Sequence, residues 1–416
     1  MPAEHARRID FAWELGGHTG HVATLLPIAR AMQARGHEVR FLLREPRAGA
    51  DLEGAAGIPR EAAPITEAPQ LYASPRNFGE ILHNFGYQDA RVLKQLVDAW
   101  RERMWLSHAV VASVAPAAHL AARTLGIPSL EISQGFHVPP PALPAAPLRD
   151  WEPAPRAQLE EADRRIVGSI NQVLAAYGVK PVASIGDLFA GRAMLLTYPE
   201  LDIYPERGPV EYFGIPHTGE GCLAPAWPEG RGPRVFAYLY NYYEGLARLL
   251  EALARLGAPT LMLCRGLDPA LKRRHAGGCI LLTEEPMAVS RLLPQCDLVA
   301  SHASHQMTAQ ALLAGKALLL LPTQMEQFLI MRRVVRYGAG LGIAAADADF
   351  GAAIAELWRD PKYARKASEF AARYRAHDRG AALATMIGRV EAALAAGGPQ
   401  AAAISSGQRS GSKTES

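Results

Sequence analysis

At 416 residues the chain is too long for one ordinary hydrophobic core and suits two domains. It is 49% hydrophobic and 20% charged with a net charge of +3, a soluble globular composition without the basic footprint of a nucleic-acid binder. It has no apolar run of about 18 residues to cross a membrane. The charged opening, residues 1–10, holds no hydrophobic signal core, so a cytoplasmic protein is expected.

Residues 9–15 read as a short strand, followed by Gly16-Gly17-His18-Thr19-Gly20-His21. Residues 22–35 have helical periodicity, with Leu25, Leu26, Ile28, Ala29 and Met32 facing a core. Gly36 ends that helix and residues 38–43 form the next strand. This is a βαβ unit with a glycine-rich first turn, whose loop glycines are taken as Gly17 and Gly20. Residues 109–113 and 128–132 make a strand pair around a helix at 117–125. Strands alternating with helices imply a parallel sheet covered on both faces. Residues 139–155 are proline-rich and loop-like, 157–177 helical, and 193–197 and 212–215 the last strands of the first half. Residues 216–233 hold four prolines and four glycines with little periodicity and read as a linker.

The pattern restarts with a strand at 235–239, a helix at 244–256 and strands at 260–263 and 280–282. Residues 298–301 form a buried strand, 302–306 a polar turn, and a helix follows that Gly315 stops. The apolar strand 317–321 leads into Pro322-Thr323-Gln324-Met325-Glu326-Gln327. Residues 328–336 are helical, Gly338-Ala339-Gly340 ends that helix, and 349–394 are mostly helix. The tail 397–416 has few apolar anchors and is expected to be disordered. Cys222, Cys264, Cys279 and Cys296 show no CxxC spacing, so buried thiols in a reducing compartment are expected and no metal site.

A strand feeding a helix through a small polar turn aims free backbone N–H groups at one point, and such a point attracts phosphate. The segment 298–315 has that form, and Glu326 and Gln327 lie just past the next strand. Phosphate donors beside a carboxylate and an amide suit a nucleotide diphosphate that carries a sugar. An ordinary strand-turn-helix with polar surface residues accounts for the same local features.

Two blocks carry a family resemblance. One is Gly20-His-Val-Ala-Thr-Leu-Leu-Pro-Ile-Ala-Arg-Ala-Met-Gln-Ala-Arg-Gly-His-Glu-Val39; the other runs from Leu293-Pro-Gln-Cys-Asp297 to Gly340. They resemble the opening and the donor-binding block of the GT-B glycosyltransferases, specifically the UDP-glycosyltransferase-like group (glycosyltransferase family 1, macrolide-type bacterial members). The resemblance implies an α/β protein of two Rossmann-like βα domains facing each other across a cleft. The acceptor-binding domain is then 1–215, the linker 216–233 and the nucleotide-sugar-binding domain 234–396. By position, His21 falls on the catalytic histidine, His302 on the histidine opening the donor block and Thr308 on a phosphate-contacting Ser/Thr. Glu326 and Gln327 fall on the pair that holds the sugar hydroxyls. The chain departs from the family pattern with Ala303, Ser304 and Gln306 in place of glycines and Gln310 in place of a ribose-binding glutamate. Tyr240-Asn241 replaces a Gly-Ser turn, and Thr283-Glu-Glu-Pro286 replaces the segment that stacks on the base. Ser113 occupies the place of the aspartate that orients the catalytic histidine.

Sugar transfer needs a base near neutral pKa for the acceptor hydroxyl, stabilisation of the departing diphosphate, and a sugar held for in-line displacement. His21 is the expected base and His18 its rival, with Ser113, Glu14 or a backbone carbonyl as the partner that sets its tautomer. His302, Ser304, Gln306, Thr308, Gln310 and Asn241 are the expected phosphate and nucleotide contacts. Tyr240, Tyr242 and Tyr243 are candidates for base stacking, and Trp13 and Phe136 for an acceptor pocket. The expected activity is inverting, metal-independent transfer from a UDP- or dTDP-sugar to a hydroxyl of a small or lipophilic acceptor. No other cofactor, no nucleic acid and no stable membrane insertion are expected, and the chain would act as a monomer or homodimer. The alternative is a catalytically impaired, nucleotide-sugar-binding or auxiliary protein of the same fold. A sugar-nucleotide epimerase would need cleft carboxylates that the sequence does not supply.

Overall fold

Two runs of strand–helix alternation fold into two separate six-stranded sheets, parallel throughout. The structure is a computed structural model that describes residues 6–17, 19–149, 151–153, 155–204, 207–208, 210–216 and 223–396. The first unit holds the described residues of Met1–Leu196, Tyr204–Pro216 and Arg379–Ser416, and the second those of Thr197–Ile203 and His217–Asp378.

The first unit runs β1 (Arg8–Trp13), α1 (Gly20–Ala34), β2 (Glu38–Leu43), β3 (Arg60–Ala62), α2 (Phe78–His83), α3 (Ala90–Arg103), β4 (Ala109–Ala112), α4 (Pro116–Leu125), β5 (Ser129–Ser133), α5 (Arg156–Ala176) and β6 (Ala193–Leu195). Its strand order is β3-β2-β1-β4-β5-β6. Strand side chains alternate between faces, so β1 feeds two cores. Ile9, Phe11 and Trp13 pack with Leu25, Ile28 and Met32 of α1, whereas Ala12 joins Val97, Trp100 and Leu120 of α3 and α4. Helix ends follow local chemistry. The Asp89 side chain accepts the Arg91 and Val92 N–H groups at the start of α3, and α4 opens on Pro116 and stops at Gly126, whose φ is 68°.

The second unit runs β7 (Val235–Tyr240), α6 (Leu246–Arg255), β8 (Thr260–Arg265), α7 (Pro269–Arg274), β9 (Ile280–Thr283), α8 (Val289–Leu292), β10 (Leu298–Ser301), α9 (His305–Leu313), β11 (Ala317–Leu320), α10 (Met325–Tyr337), β12 (Gly340–Gly342), α11 (Phe350–Arg359) and α12 (Pro361–Arg373). Its order, β12-β11-β10-β7-β8-β9, repeats that of the first sheet. In each sheet the chain grows one way from its first strand and then returns to that strand's other edge. The reversal lies between β1 and β4 and between β7 and β10. In doubly wound sheets such a reversal opens a crevice outside the strands' carboxyl ends.

Several expected elements differ. Residues 212–215 form no strand: Tyr212 makes one parallel bridge to Leu195, then Gly214 at φ 66° turns the chain. Gly338 at φ 88° caps α10, but Gly340 belongs to β12, where a Cβ would lie 2.4 Å from the Leu318 carbonyl oxygen. The described part of the expected linker, 223–233, belongs to the second unit. Gly232 there sits so close that a Cβ would meet the Leu256 carbonyl oxygen at 2.7 Å. The last helix, α13 (Arg379–Ala396), was expected with the C-terminal domain and packs instead on the first unit. Its Ala382, Met386, Ile387, Val390 and Leu394 recur at helical spacing and enter the core of β1 and α1. The expected disordered tail, 397–416, lies outside the described residues.

This placement gives a test. Val390 is fully buried, so Val390→Asp places an unpaired carboxylate in the core of the first unit and lowers stability by on the order of 3 kcal/mol. Urea unfolding of the full chain measures the loss, and Ala392→Ser, on the exposed face of the same helix, serves as the near-neutral control.

Candidate functional site

In the first unit the loops after β1 and β4 lie side by side at the strand-order reversal. His21, in the first turn of α1, and Ser113, just past β4, come from these two loops. The His21 Nδ1 and the Ser113 hydroxyl are 3.1 Å apart. Of the partners left open by the sequence, the Ser113 hydroxyl lies within hydrogen-bond distance of Nδ1. Glu14 turns away: it is buried, accepts from the Tyr87 hydroxyl at 2.5 Å and from the Ala117 N–H at 2.9 Å, and burial pushes its carboxyl up to about 7. His137 is half-buried next to Phe136, and burial, reinforced by His21, pushes its imidazole down to about 3. It stays neutral near physiological pH and donates no charge to the site.

Trp13 proves to be a support for His21 and not an acceptor-pocket wall. Its ring is 0% exposed and stacks on the His21 ring at 5.1 Å and 20°, while its Nε1 donates to the Leu15 carbonyl at 2.7 Å. Phe136 is half-buried, and its carbonyl accepts from the Tyr204 hydroxyl at 3.1 Å. The glycine that the site needs is Gly16. Its φ is 85°, and a Cβ there would lie 3.0 Å from His21 Nε2. Gly17 and Gly20, the expected loop glycines, face open space, where a Cβ meets nothing within 4 Å. His18 lies outside the described residues.

In the second unit β10 ends at the polar turn before α9. His302 is buried and both ring nitrogens are engaged: Nδ1 with the Leu321 carbonyl at 2.8 Å, and Nε2 as acceptor of the Tyr240 N–H at 3.0 Å. The ring therefore ties three adjacent strands and is not a side-chain phosphate donor, and burial lowers its pKa. Ala303 stands at φ 61°, the left-handed conformation that a glycine adopts without strain. Ser304 opens α9 without a side-chain cap, so the first N–H groups of the helix are not closed off by a side chain. Gln306 and Gln310, four residues apart, are half-buried on one face of α9. Thr308 is fully buried, and its hydroxyl has no hydrogen-bond partner among the described residues.

Three further features complete this edge. Rings of Tyr240 and Tyr242 stack at 5.2 Å, the Tyr242 ring runs within 7° of parallel to His302, and Tyr242 is 61% exposed. Asn241 is exposed beside them, and its N–H donates to the Arg265 carbonyl. Glu326, in the first turn of α10, is half-buried, has no ion-pair or hydrogen-bond partner among the described residues, and is pushed up to about 7 by burial. Gln327 is buried, and its Oε1 accepts from the Thr323 N–H at 2.9 Å and hydroxyl at 3.0 Å, which leaves only its NH2 group for another partner. Glu284, in the segment where an aromatic is absent, anchors a turn by accepting the Gly266 and Leu267 N–H groups.

Sequence reasoning missed Gly16 and His305. His305 Nε2 lies 2.7 Å from the Thr197 hydroxyl, and burial pushes its imidazole down to about 4. The signal for Gly16 was its place directly after a strand end. Cys264 and Cys296 are buried free thiols, both pushed up to about 11 by burial, while Cys222 lies outside the described residues. Among the described residues no three His, Cys, Asp or Glu side chains form a metal-ligand group, and no helix is long and apolar enough to cross a membrane.

No family model matches the chain. It is 25% identical over 349 residues, 77% of its length and 82% of the relative's, to a zeaxanthin glucosyltransferase of Pseudescherichia vulneris. Among solved structures, the calicheamicin glycosyltransferase CalG4 superposes with a TM-score of 0.67 at 20% identity, over 94% of this chain and 98% of that one. The Streptomyces sp. SF2575 glycosyltransferase SsfS6, complexed with thymidine diphosphate, does so with a TM-score of 0.58 at 21% identity, over 92% and 99%. The chain has the GT-B fold of these glycosyltransferases.

Proposed function

We propose that the chain is an inverting glycosyltransferase that moves a sugar from a nucleoside diphosphate to a hydroxyl of a small or lipophilic acceptor. One observation carries this reading. Along the carboxyl edge of the second sheet, the strands β11, β10 and β7 are neighbours, about 4.8 Å apart. They carry, in that order, Glu326 with the Gln327 amide, the uncapped start of α9, and the Tyr240–Tyr242 stack. A nucleotide sugar presents the same sequence of chemistry: hydroxyls, a diphosphate, then a flat base. Similarity to a zeaxanthin glucosyltransferase supports sugar transfer, and the thymidine diphosphate bound in SsfS6 supports a UDP- or dTDP-sugar as donor.

In this mechanism Nδ1–H of His21 donates to Ser113, which leaves Nε2 as the base. Nε2 takes the proton of the acceptor hydroxyl as its oxygen attacks the anomeric carbon. The bond from that carbon to the β-phosphate oxygen breaks on the opposite face, and configuration inverts. Negative charge gathers on the diphosphate, where the α9 N–H groups and the positive end of the helix dipole stabilise it without a metal. Glu326 and the Gln327 NH2 group hold the sugar hydroxyls. A nucleotide-sugar-binding protein without turnover is the second reading. It is favoured by Ser113, since a hydroxyl orients an imidazole but stabilises imidazolium less than a carboxylate does.

Activity assays with a panel of UDP- and dTDP-sugars, scored for hydrolysis and transfer, separate the two. His21→Ala is expected to lower turnover at least about 100-fold while thermal stabilisation by dTDP or UDP persists. Nucleotide stabilisation with no turnover in the wild type establishes the second reading, and no nucleotide stabilisation at all rejects both. Tyr242→Ala is expected to weaken nucleoside diphosphate binding by roughly 5- to 150-fold in calorimetry, with pyrophosphate binding unchanged, because a stacked base is worth about 1–3 kcal/mol.

Glu326 adds a pH prediction. Its folded pKa, about 7, lies above the ordinary 4.5, so the folded chain binds this proton more tightly than the unfolded chain. The stability it contributes is full below pH 4.5 and is lost as pH rises through 7. Glu326→Gln removes that loss, and the fall in unfolding free energy between acidic and basic buffer should shrink by about 1–3 kcal/mol in urea titrations.

A further inference from the structure

Ser113 belongs to a three-residue connector between β4 and α4, and its next residue has an unusual backbone. Val114 adopts φ 56°, in the left-handed region, although it is β-branched and buried. Such a residue costs roughly 1–3 kcal/mol and persists only where its surroundings over-determine it. Three elements hold it. Its carbonyl accepts the Leu15 N–H at 2.9 Å and the Glu14 N–H at 3.3 Å, beyond the end of β1. Its own N–H donates to Glu131 Oε1 of β5 at 2.8 Å. Glu14 grips the first turn of α4 through the Ala117 N–H.

Glu131 is the unexpected member. It is fully buried in β5, with its flanking Leu130 and Ile132 in the apolar core on the other face of the strand. Its second oxygen lies 2.9 Å from His119 Nε2, and His119 Nδ1 lies 2.9 Å from the Ser129 hydroxyl. The His119 ring packs edge-on to Phe189 at 5.4 Å, which fixes it from the remaining side. A buried polar chain of this kind is commonly replaceable by apolar residues without loss of stability. Its distinctive consequence here is geometric: it turns the chain sharply after Ser113, and the hydroxyl then meets His21 Nδ1.

We propose that the buried His119–Glu131 pair is a positioning device for His21, acting through the left-handed Val114 and the Ser113 hydroxyl. The proposal rests on His21 as the base of the transfer reaction. Neither His119 nor Glu131 touches substrate. Together they hold an acceptor oxygen where it selects the imidazole tautomer protonated at Nδ1, which puts the basic lone pair on Nε2.

The test is nitrogen-15 NMR of the histidine rings in the full chain, with turnover measured alongside. Wild type is expected to show His21 in the single Nδ1-protonated tautomer. Glu131→Leu should give a mixture of both tautomers, with kcat lowered about 10-fold and the KM for the sugar nucleotide unchanged. Glu131→Gln keeps an oxygen for the Val114 N–H and should retain the wild-type tautomer and rate. If Glu131→Leu does not fold, His119→Phe decides: it keeps a ring against Phe189 but removes the nitrogen that holds Glu131, and should produce the same tautomer mixture, whereas Val114→Gly, which adopts the left-handed conformation freely, should keep the wild-type tautomer. A folded Glu131→Leu or His119→Phe protein with the wild-type His21 tautomer overturns the proposal, as does a wild type that already populates both. Full activity in His21→Ala would instead overturn the catalytic reading, and the tautomer measurement stays informative in that event.

Discussion

With right-handed crossovers, an open parallel sheet is covered by helices on both faces only if the chain builds outward from its first strand and then returns past it to build the other half. The helices then depart to opposite faces, and the loops on either side of the return point are left uncovered. Both sheets obey this constraint at the same place in their order, between β1 and β4 and between β7 and β10. The hydrogen bond between His21 and Ser113 spans one return point, and the bond from the Tyr240 N–H to His302 spans the other. Neither pair could form without the strand order, since His21 and Ser113 lie 92 residues apart in the chain.

The two return points are used differently. In the first unit the His21 ring lies 3.1 Å from the Ser113 hydroxyl and is backed by the Trp13 ring. In the second unit the histidine is consumed by structure, since both nitrogens of His302 hold backbone groups of neighbouring strands. What remains for a ligand there is the start of α9, the half-buried face of Gln306 and Gln310, and the Tyr240–Tyr242 stack that grows out from His302. The turn 302–306 holds no glycine. Ala303 takes the left-handed conformation regardless, held by full burial and by a bond from its N–H to the Ser301 hydroxyl.

The repeated strand–helix alternation was legible because parallel strands buried on both faces are continuous apolar runs, and β2 and β10 fall where those runs predict. Some elements carried a signal that the alternation overshadows. In α3, Leu93, Leu96, Val97 and Trp100 have the spacing of an amphipathic helix, and Asp89 caps it. Others carried almost none. β3 spans Arg60–Ala62 with no buried residue, and its pairing to β2 is supplied by the neighbour. Residues 212–215 mislead in the opposite sense, apolar enough for a strand but broken by Gly214. In the site, the positions of His21, Glu326 and the α9 start could be read from motif spacing. The orientations of Trp13, Thr308 and Gln327 could not, because helix and strand phase decide which side of an element faces a ligand.

By itself the sequence determined the kind of fold, the ends of strands at which chemistry is placed, and the identity of the imidazole and carboxylate found there. These follow from local patterns: apolar runs, turn residues and their spacing. Only the tertiary structure decided that Ser113 and not Glu14 partners His21, that Gly16 and not Gly17 must lack a side chain, and that α13 completes the first unit's core. Each of those outcomes is a contact between segments far apart in the chain. Which of several chemically suitable groups wins such a contact depends on packing geometry that no local pattern encodes.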